Sequence, residues 1–156
     1  MNKQHKYKLT VKWTGNKGHG TFDSRLYGRD HRIVIANKPD ILGSSDPKFR
    51  GDADKHNPEE LLLASLSSCH MLWYLDLCAS AGVVVVDYRD NAVGIMEEKS
   101  DRSGHFTEVT LQPVVTVAES SMVKTANELH KEANKLCFIA NSVNFPVYHH
   151  PSCLVL

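Results

Sequence analysis

No Cys-x-x-Cys pair occurs in this chain, although it carries four cysteines among 156 residues: Cys69, Cys78, Cys137 and Cys153. Closely spaced ligand pairs are what zinc sites use, so no metal is expected. The wide spacing and the size of the chain also argue against the disulfide framework of a small secreted domain. Net charge is lacking as well, since 18 lysines and arginines balance 18 aspartates and glutamates. No basic block interleaves with aromatic residues, and a nucleic-acid partner is therefore not expected. The opening "MNKQHKYKLTVKW" has no apolar h-region, and no run reads as long enough to span a bilayer. These absences point to a cytoplasmic protein without a membrane partner. There is no internal repeat and no low-complexity segment. What is left is ordinary globular composition, 42% hydrophobic, in a chain long enough to bury one core. A single domain over residues 1–156 is expected.

The alternation in "YKLTVKWTG" and "TFDSRLYGRDHRIVIA" predicts N-terminal strands over 7–36, joined through the turn "GNKGHG". The segment 37–56, rich in Pro, Gly, Ser and Asp, reads as a long loop, and loops of such length are often functional. A central helix over 57–81 follows. Asn57 is placed as its N-cap, Pro58 as its first residue, Glu60 as the acid of a capping box and Gly82 as its terminator. Apolar residues lie nearly all round it, with Leu62, Leu66, Cys69 and Trp73 on one side, so it should be covered on several faces. Strands are expected over 83–118, turning at "SDRSG". A second helix over about 120–137 and a closing strand over 146–156 complete the chain. That order predicts an α+β fold, antiparallel β-sheets packed around central helices.

An isolated buried cysteine is ordinarily a small hydrophobe. Apolar burial raises a thiol pKa above its usual ~8.5 unless a cation or helix N-terminus offsets it. Cys69 would thus be a poor nucleophile unaided. His70, about 100° away around the helix, cannot readily act as its base. Arg50 in the long loop is a permanently charged candidate with a planar set of donors, and Glu59 could orient it through a two-pronged contact.

These residues resemble a known family. "NPEELLLASLSSCH" is similar to the signature of the OsmC/Ohr family, the osmotically inducible protein C and organic hydroperoxide resistance proteins. The interval from Glu59 to Cys69 (69 − 59 = 10) matches the family pattern, "NKLCFIANSV" matches the resolving-cysteine region at Cys137, and "FRGDADKHNPEEL" places Arg50 where OsmC-type members carry an arginine. In Ohr-type members the arginine comes from an early turn, which leaves Arg25 and Arg29 as alternatives. The resemblance implies an OsmC-like fold, an intertwined homodimer, and reduction of organic hydroperoxides to alcohols. Cys69 would be the peroxidatic cysteine, Cys137 the resolving one, and Arg50 with Glu59 their support. The implied co-substrate is a dithiol reductant, lipoyl-type or another small thiol, and no cofactor is implied.

Helix geometry supports the dimer. Glu59 and Cys69 stand about 15 Å apart along one helix and point roughly 80° apart. A second copy packed antiparallel could bring its Glu59 close, and Ala64, Ser65 and Ser68 would permit the approach. His70 stands where many members carry an aromatic residue, so a more polar entrance is expected. Cys78 and Cys153 read as packing. His149 and His150, adjacent on a strand, should face opposite ways and so not share an ion. Two other functions fit the same residues: a non-enzymatic binder of a hydrophobic small molecule, and a thiol redox sensor.

Overall fold

The computed structural model describes residues 2–156; Met1, part of the expected domain, lies outside them. Two compact units meet in sequence at Leu61 and Leu62.

The first unit holds an antiparallel sheet in the order β1 (Thr10–Trp13), β2 (His31–Val34), β3 (Ile41–Gly43). The strand expected to resume at residue 21 is confined to His31–Val34. Local side-chain bonds satisfy the intervening backbone instead. Asn16 accepts from the amides of Gly18 and Gly20, and Asp23 accepts from that of Arg25, the competition that polar side chains offer to ladders. The base of this excursion is pinched where the Gly28 amide donates to the Gly15 carbonyl at 2.8 Å. A Cβ on Gly15 would lie 1.9 Å from the Gly28 oxygen, so only glycine fits.

The segment 37–56 is more structured than a loop. It contains β3 and a single 3₁₀ turn, Pro47–Phe49, capped by the Asp46 side chain. Lys55 bridges Asp30 at 2.6 Å and Asp52 at 2.9 Å, and the buried Ser44 hydroxyl accepts from the Asp52 amide. Tyr7, Leu9, Val11 and Trp13 are all exposed, Tyr7 at 89%. Val11 and Trp13 alternate onto one face of β1, where Trp13 meets the Tyr27 ring edge to face and donates to the Gly28 carbonyl, while Tyr7 and Leu9 precede the strand.

Helix α1 (Pro58–Ser80) starts as its sequence dictates. The Glu60 amide donates to Asn57 Oδ1 at 2.8 Å and the Asn57 amide to Glu60 Oε2 at 3.2 Å, a reciprocal capping box worth about 1 kcal/mol at the cap. It ends at Gly82, φ 72°. There the Val83 amide reaches the Cys78 carbonyl and the Gly82 amide that of Ala79, the Schellman arrangement. By length and composition α1 could cross a bilayer, which corrects the expectation that no run is long enough. Tyr74 and Cys78 nevertheless pack it against Val115, Val117 and Ala126 as a core helix.

In the second unit, β4 (Val85–Asp90), β7 (Pro113–Val117) and β9 (Ser152–Val155) form one sheet. A second sheet comprises β5 (Val93–Glu98), β6 (Gly104–Leu111) and β8 (Val147–His149). The two long strands expected over 83–118 are each split, as is the closing one. The breaks fall at Asn91–Ala92, Gln112 and His150–Pro151. Asp90 holds the bend by accepting from the Gln112 amide and the Ser67 hydroxyl, both at 2.6 Å. The β4–β7 and β5–β6 pairs are antiparallel, while β8 and β9 add in parallel, because the chain returns through α2 (Val123–Leu136) as a crossover.

The fully buried stripe of α1 is Leu66, His70, Tyr74 and Cys78. His70 therefore does not sit at an entrance, as expected from sequence; it is 1% exposed. Its ring lies parallel to that of His130 on α2, with Nε2 and Nδ1 3.0 Å apart. Tyr74 stacks on His130 at 3.9 Å, and His149 closes the group at 5.7 Å from His70. His150, just past β8, is exposed.

Burial pushes His70 down to about 4, with the neighbouring His149 adding to the shift and Asp90 opposing it. His130 is pushed down to about 3 by burial, His70 and His149. An unfolded histidine binds its proton near pH 6.5. Between pH 6.5 and 4 the unfolded chain therefore holds protons that the folded chain refuses, and stability falls as pH falls. The slope should approach about 1.4 kcal/mol per pH unit for each histidine kept neutral. Urea midpoints measured from pH 7 to 5 should drop steadily, and His130→Leu should flatten the dependence. A pH-independent midpoint would contradict the buried neutral cluster.

Candidate active site

Cys69, halfway along α1, and Cys137, the residue capping the C-terminus of α2 (φ −64°, ψ 110°), are neighbours in space, the Cys69 side chain lying near enough to help push the Cys137 thiol up. Sequence separates them by 68 positions (137 − 69); the packing of the two helices joins them. Both are free thiols here. Cys137 is 1% exposed and is pushed up to about 11, first by burial and then by Cys69, with the Ala140 amide partly opposing. That amide donates to Cys137 Sγ at 3.4 Å. The end of α2 is secured where Asn141 Nδ2 donates to the Lys135 carbonyl at 2.9 Å.

Cys69 is only half-buried and lines a cavity of about 370 Å³ together with Leu72, Trp73, Asp76 and Phe138. The two aromatic rings meet edge to face at 5.5 Å. One thiol of the pair thus faces a largely apolar cavity, and the other stands behind it, buried and protonated. The arrangement sets an accessible thiol, able to attack a ligand, next to a buried second thiol, the pairing that thiol–disulfide chemistry uses.

The supporting residues are not assembled in the same way. Arg50 lies in the left-handed region, φ 65°, and its Nη1 donates to the Ser24 hydroxyl at 3.1 Å. Glu59 has a buried Oε2 with no hydrogen-bond partner among the described residues. Among the described residues no ion pair joins Arg50 to Glu59. The alternative arginines are already engaged: Arg25 pairs with Asp23 at 2.7 Å, and Arg29 donates to the Tyr27 carbonyl at 2.6 Å while lying over that ring.

Cys78 is buried, with its thiol pushed up by burial, and Cys153 packs on the same core cluster. Sequence reasoning missed Leu72, Asp76 and Phe138. The first two follow Cys69 at helical spacing (69, 72, 73, 76), a signal that was present; Phe138 follows Cys137 in a non-helical turn and gave none.

The sequence profile of the family described as OsmC-like protein matches residues 51–149. None of the curated proteins is significantly similar to the chain in sequence. An OsmC-like protein of unknown function from Vibrio cholerae is 31% identical, with a TM-score of 0.85 over 96% of this chain and 100% of the other. Two organic hydroperoxide resistance proteins share the fold. That from Elizabethkingia anophelis is 16% identical, with a TM-score of 0.68 over 99% of this chain and all of the other. That from Legionella pneumophila is 14% identical, with a TM-score of 0.68 over 97% and 99%. With the profile spanning most of its length and a 31% identical structure superposing along nearly all of it, this α+β chain belongs to the OsmC-like family.

Proposed function

We propose that the protein is a thiol peroxidase that reduces organic hydroperoxides to alcohols. The observation that carries this reading is the nearness of Cys69, open to an apolar cavity, to the buried Cys137, whose thiol it helps push up. The names of the hydroperoxide resistance proteins that share its fold agree with it. The thiolate of Cys69 attacks the distal peroxide oxygen. An S–O bond forms, the O–O bond breaks, and the departing alkoxide takes up a proton to become the alcohol. Cys69 is left as a sulfenic acid, two electrons more oxidised. Cys137 sulfur then attacks Cys69 sulfur, hydroxide leaves and combines with the Cys137 proton as water, and a disulfide remains. A dithiol, lipoyl-type or another small thiol, returns both cysteines to thiols and is itself oxidised. The protonated state of Cys137 suits it to wait for the sulfenic acid rather than compete for peroxide.

Arg50, the least engaged of the three candidate arginines, holds the thiolate and the developing charge. Glu59 orients it, and the site is shared between two copies of the chain. Two observations support the dimer. Among the described residues the buried Glu59 Oε2 has no donor, and Tyr7, Leu9 and Val11 are exposed on or just before β1, an edge strand paired on one side only, the kind of surface that a second chain covers.

Consumption of an organic hydroperoxide in the presence of a dithiol tests the proposal. Many turnovers per chain are expected. A single stoichiometric oxidation would favour a redox sensor instead, and no oxidation would leave a binder of hydrophobic small molecules, which the cavity alone would also accommodate.

A further inference from the structure

Among the described residues, the cavity beside Cys69 has one charged lining residue, Asp76. It occupies the same face of α1 as Cys69 and lies seven residues on, about 10 Å along the axis. Leu72 and Trp73 fill the interval, and Phe138 closes the side. A ligand that presents its reacting group to Cys69 therefore lays an apolar body over Leu72, Trp73 and Phe138, and its far end meets a carboxylate. The volume, about 370 Å³, is at the small end of the range for ligand pockets.

Resting on the peroxidase reading, we infer that Asp76 is a specificity-determining residue. It selects compact organic hydroperoxides whose far end is neutral or cationic and rejects those ending in a carboxylate, as fatty-acid hydroperoxides do. The physical cause is like-charge repulsion across a partly apolar wall, which costs more there than in bulk water. Because Asp76 is solvent-exposed, the effect is moderate and depends on salt.

The test uses three hydroperoxides with the same carbon chain and a terminal methyl, carboxylate or trimethylammonium group about 10 Å from the peroxide. For the wild-type protein at low salt, kcat/KM should be about fivefold to tenfold lower for the carboxylate than for the methyl compound. The cationic compound should equal or exceed the methyl one. Asp76→Asn should bring the carboxylate-to-methyl ratio close to one, Asp76→Lys should invert the order of the two charged substrates, and Asp76→Glu should keep the wild-type order. Equal rates for all three in the wild type, or a ratio that Asp76→Asn and Asp76→Lys leave unmoved, would overturn the inference.

The corresponding alcohols separate this failure from failure of the peroxidase reading. The chain has two tryptophans, so a Trp13→Phe background leaves Trp73 as the sole indole to report cavity occupancy. If no hydroperoxide is consumed but the alcohols still bind with the same charge order, the selectivity stands and the chemistry falls. Equal affinities, or no binding by any alcohol, overturn the selectivity.

Discussion

Replacing Cys69 with serine is expected to lower hydroperoxide reduction by about a thousandfold or more, the scale seen when a nucleophile that acts as part of a unit is removed. A serine hydroxyl keeps the volume but has neither the accessible anion nor the polarisable sulfur needed to attack peroxide oxygen. The variant should fold normally, because Cys69 is half-buried at the cavity wall rather than in the core. Cys137→Ser should behave differently. Its first oxidation should proceed at nearly the wild-type rate, after which Cys69 should accumulate as sulfenic acid and over-oxidise on further exposure. Stopped-flow oxidation followed by mass measurement distinguishes the two. A Cys69→Ser protein that turns over peroxide normally would remove the basis of the mechanism.

Arg50→Lys is expected to cripple turnover nearly as much as Arg50→Ala, although it retains the charge. An ammonium on a flexible stem cannot hold a carboxylate with two donors and still offer one to the thiolate or the departing oxygen. The loss should be on the order of a hundredfold, the scale of removing a preorganised donor from developing charge. Arg25→Ala should have little effect, since its guanidinium is held by Asp23. Near-normal activity in Arg50→Ala with loss in Arg29→Ala would reassign the cation. The dimer can be read from the same set of variants. Inactive Cys69→Ser and inactive Glu59→Ala chains, mixed under subunit exchange, should recover about one working site per heterodimer if Glu59 serves the other chain's thiol. Full activity in a stable monomer at low concentration would contradict sharing.

The parts of the fold that obey local rules were legible in the sequence. Asn57, Pro58 and Glu60 start α1, and Gly82 stops it, because each satisfies a backbone need within a few residues. The parts set by distant partners were not legible. The break between β4 and β5 depends on Asp90 reaching both Ser67 and Gln112. The long loop hides β3 because its ladder forms with β2, across the turn at Asn37. His70 was misplaced because a histidine next to Cys69 on a helix gives no sign of burial. Its partners His130 and His149 lie on a helix and a strand far along the chain. At the site, the pairing of Cys69 with Cys137 came from family resemblance rather than from spacing; in the structure the two lie near enough for Cys69 to push the Cys137 thiol up. The cavity depended on Phe138, whose position follows from the non-helical backbone at Cys137.

The most direct test of the central claim is to oxidise the reduced protein with one equivalent of an organic hydroperoxide, block free thiols, and map the peptides without reduction. The account predicts one main product, a Cys69–Cys137 disulfide, with Cys78 and Cys153 recovered as blocked thiols. A Cys69–Cys78 or Cys137–Cys153 bridge as the main product, or four blocked thiols, would contradict it.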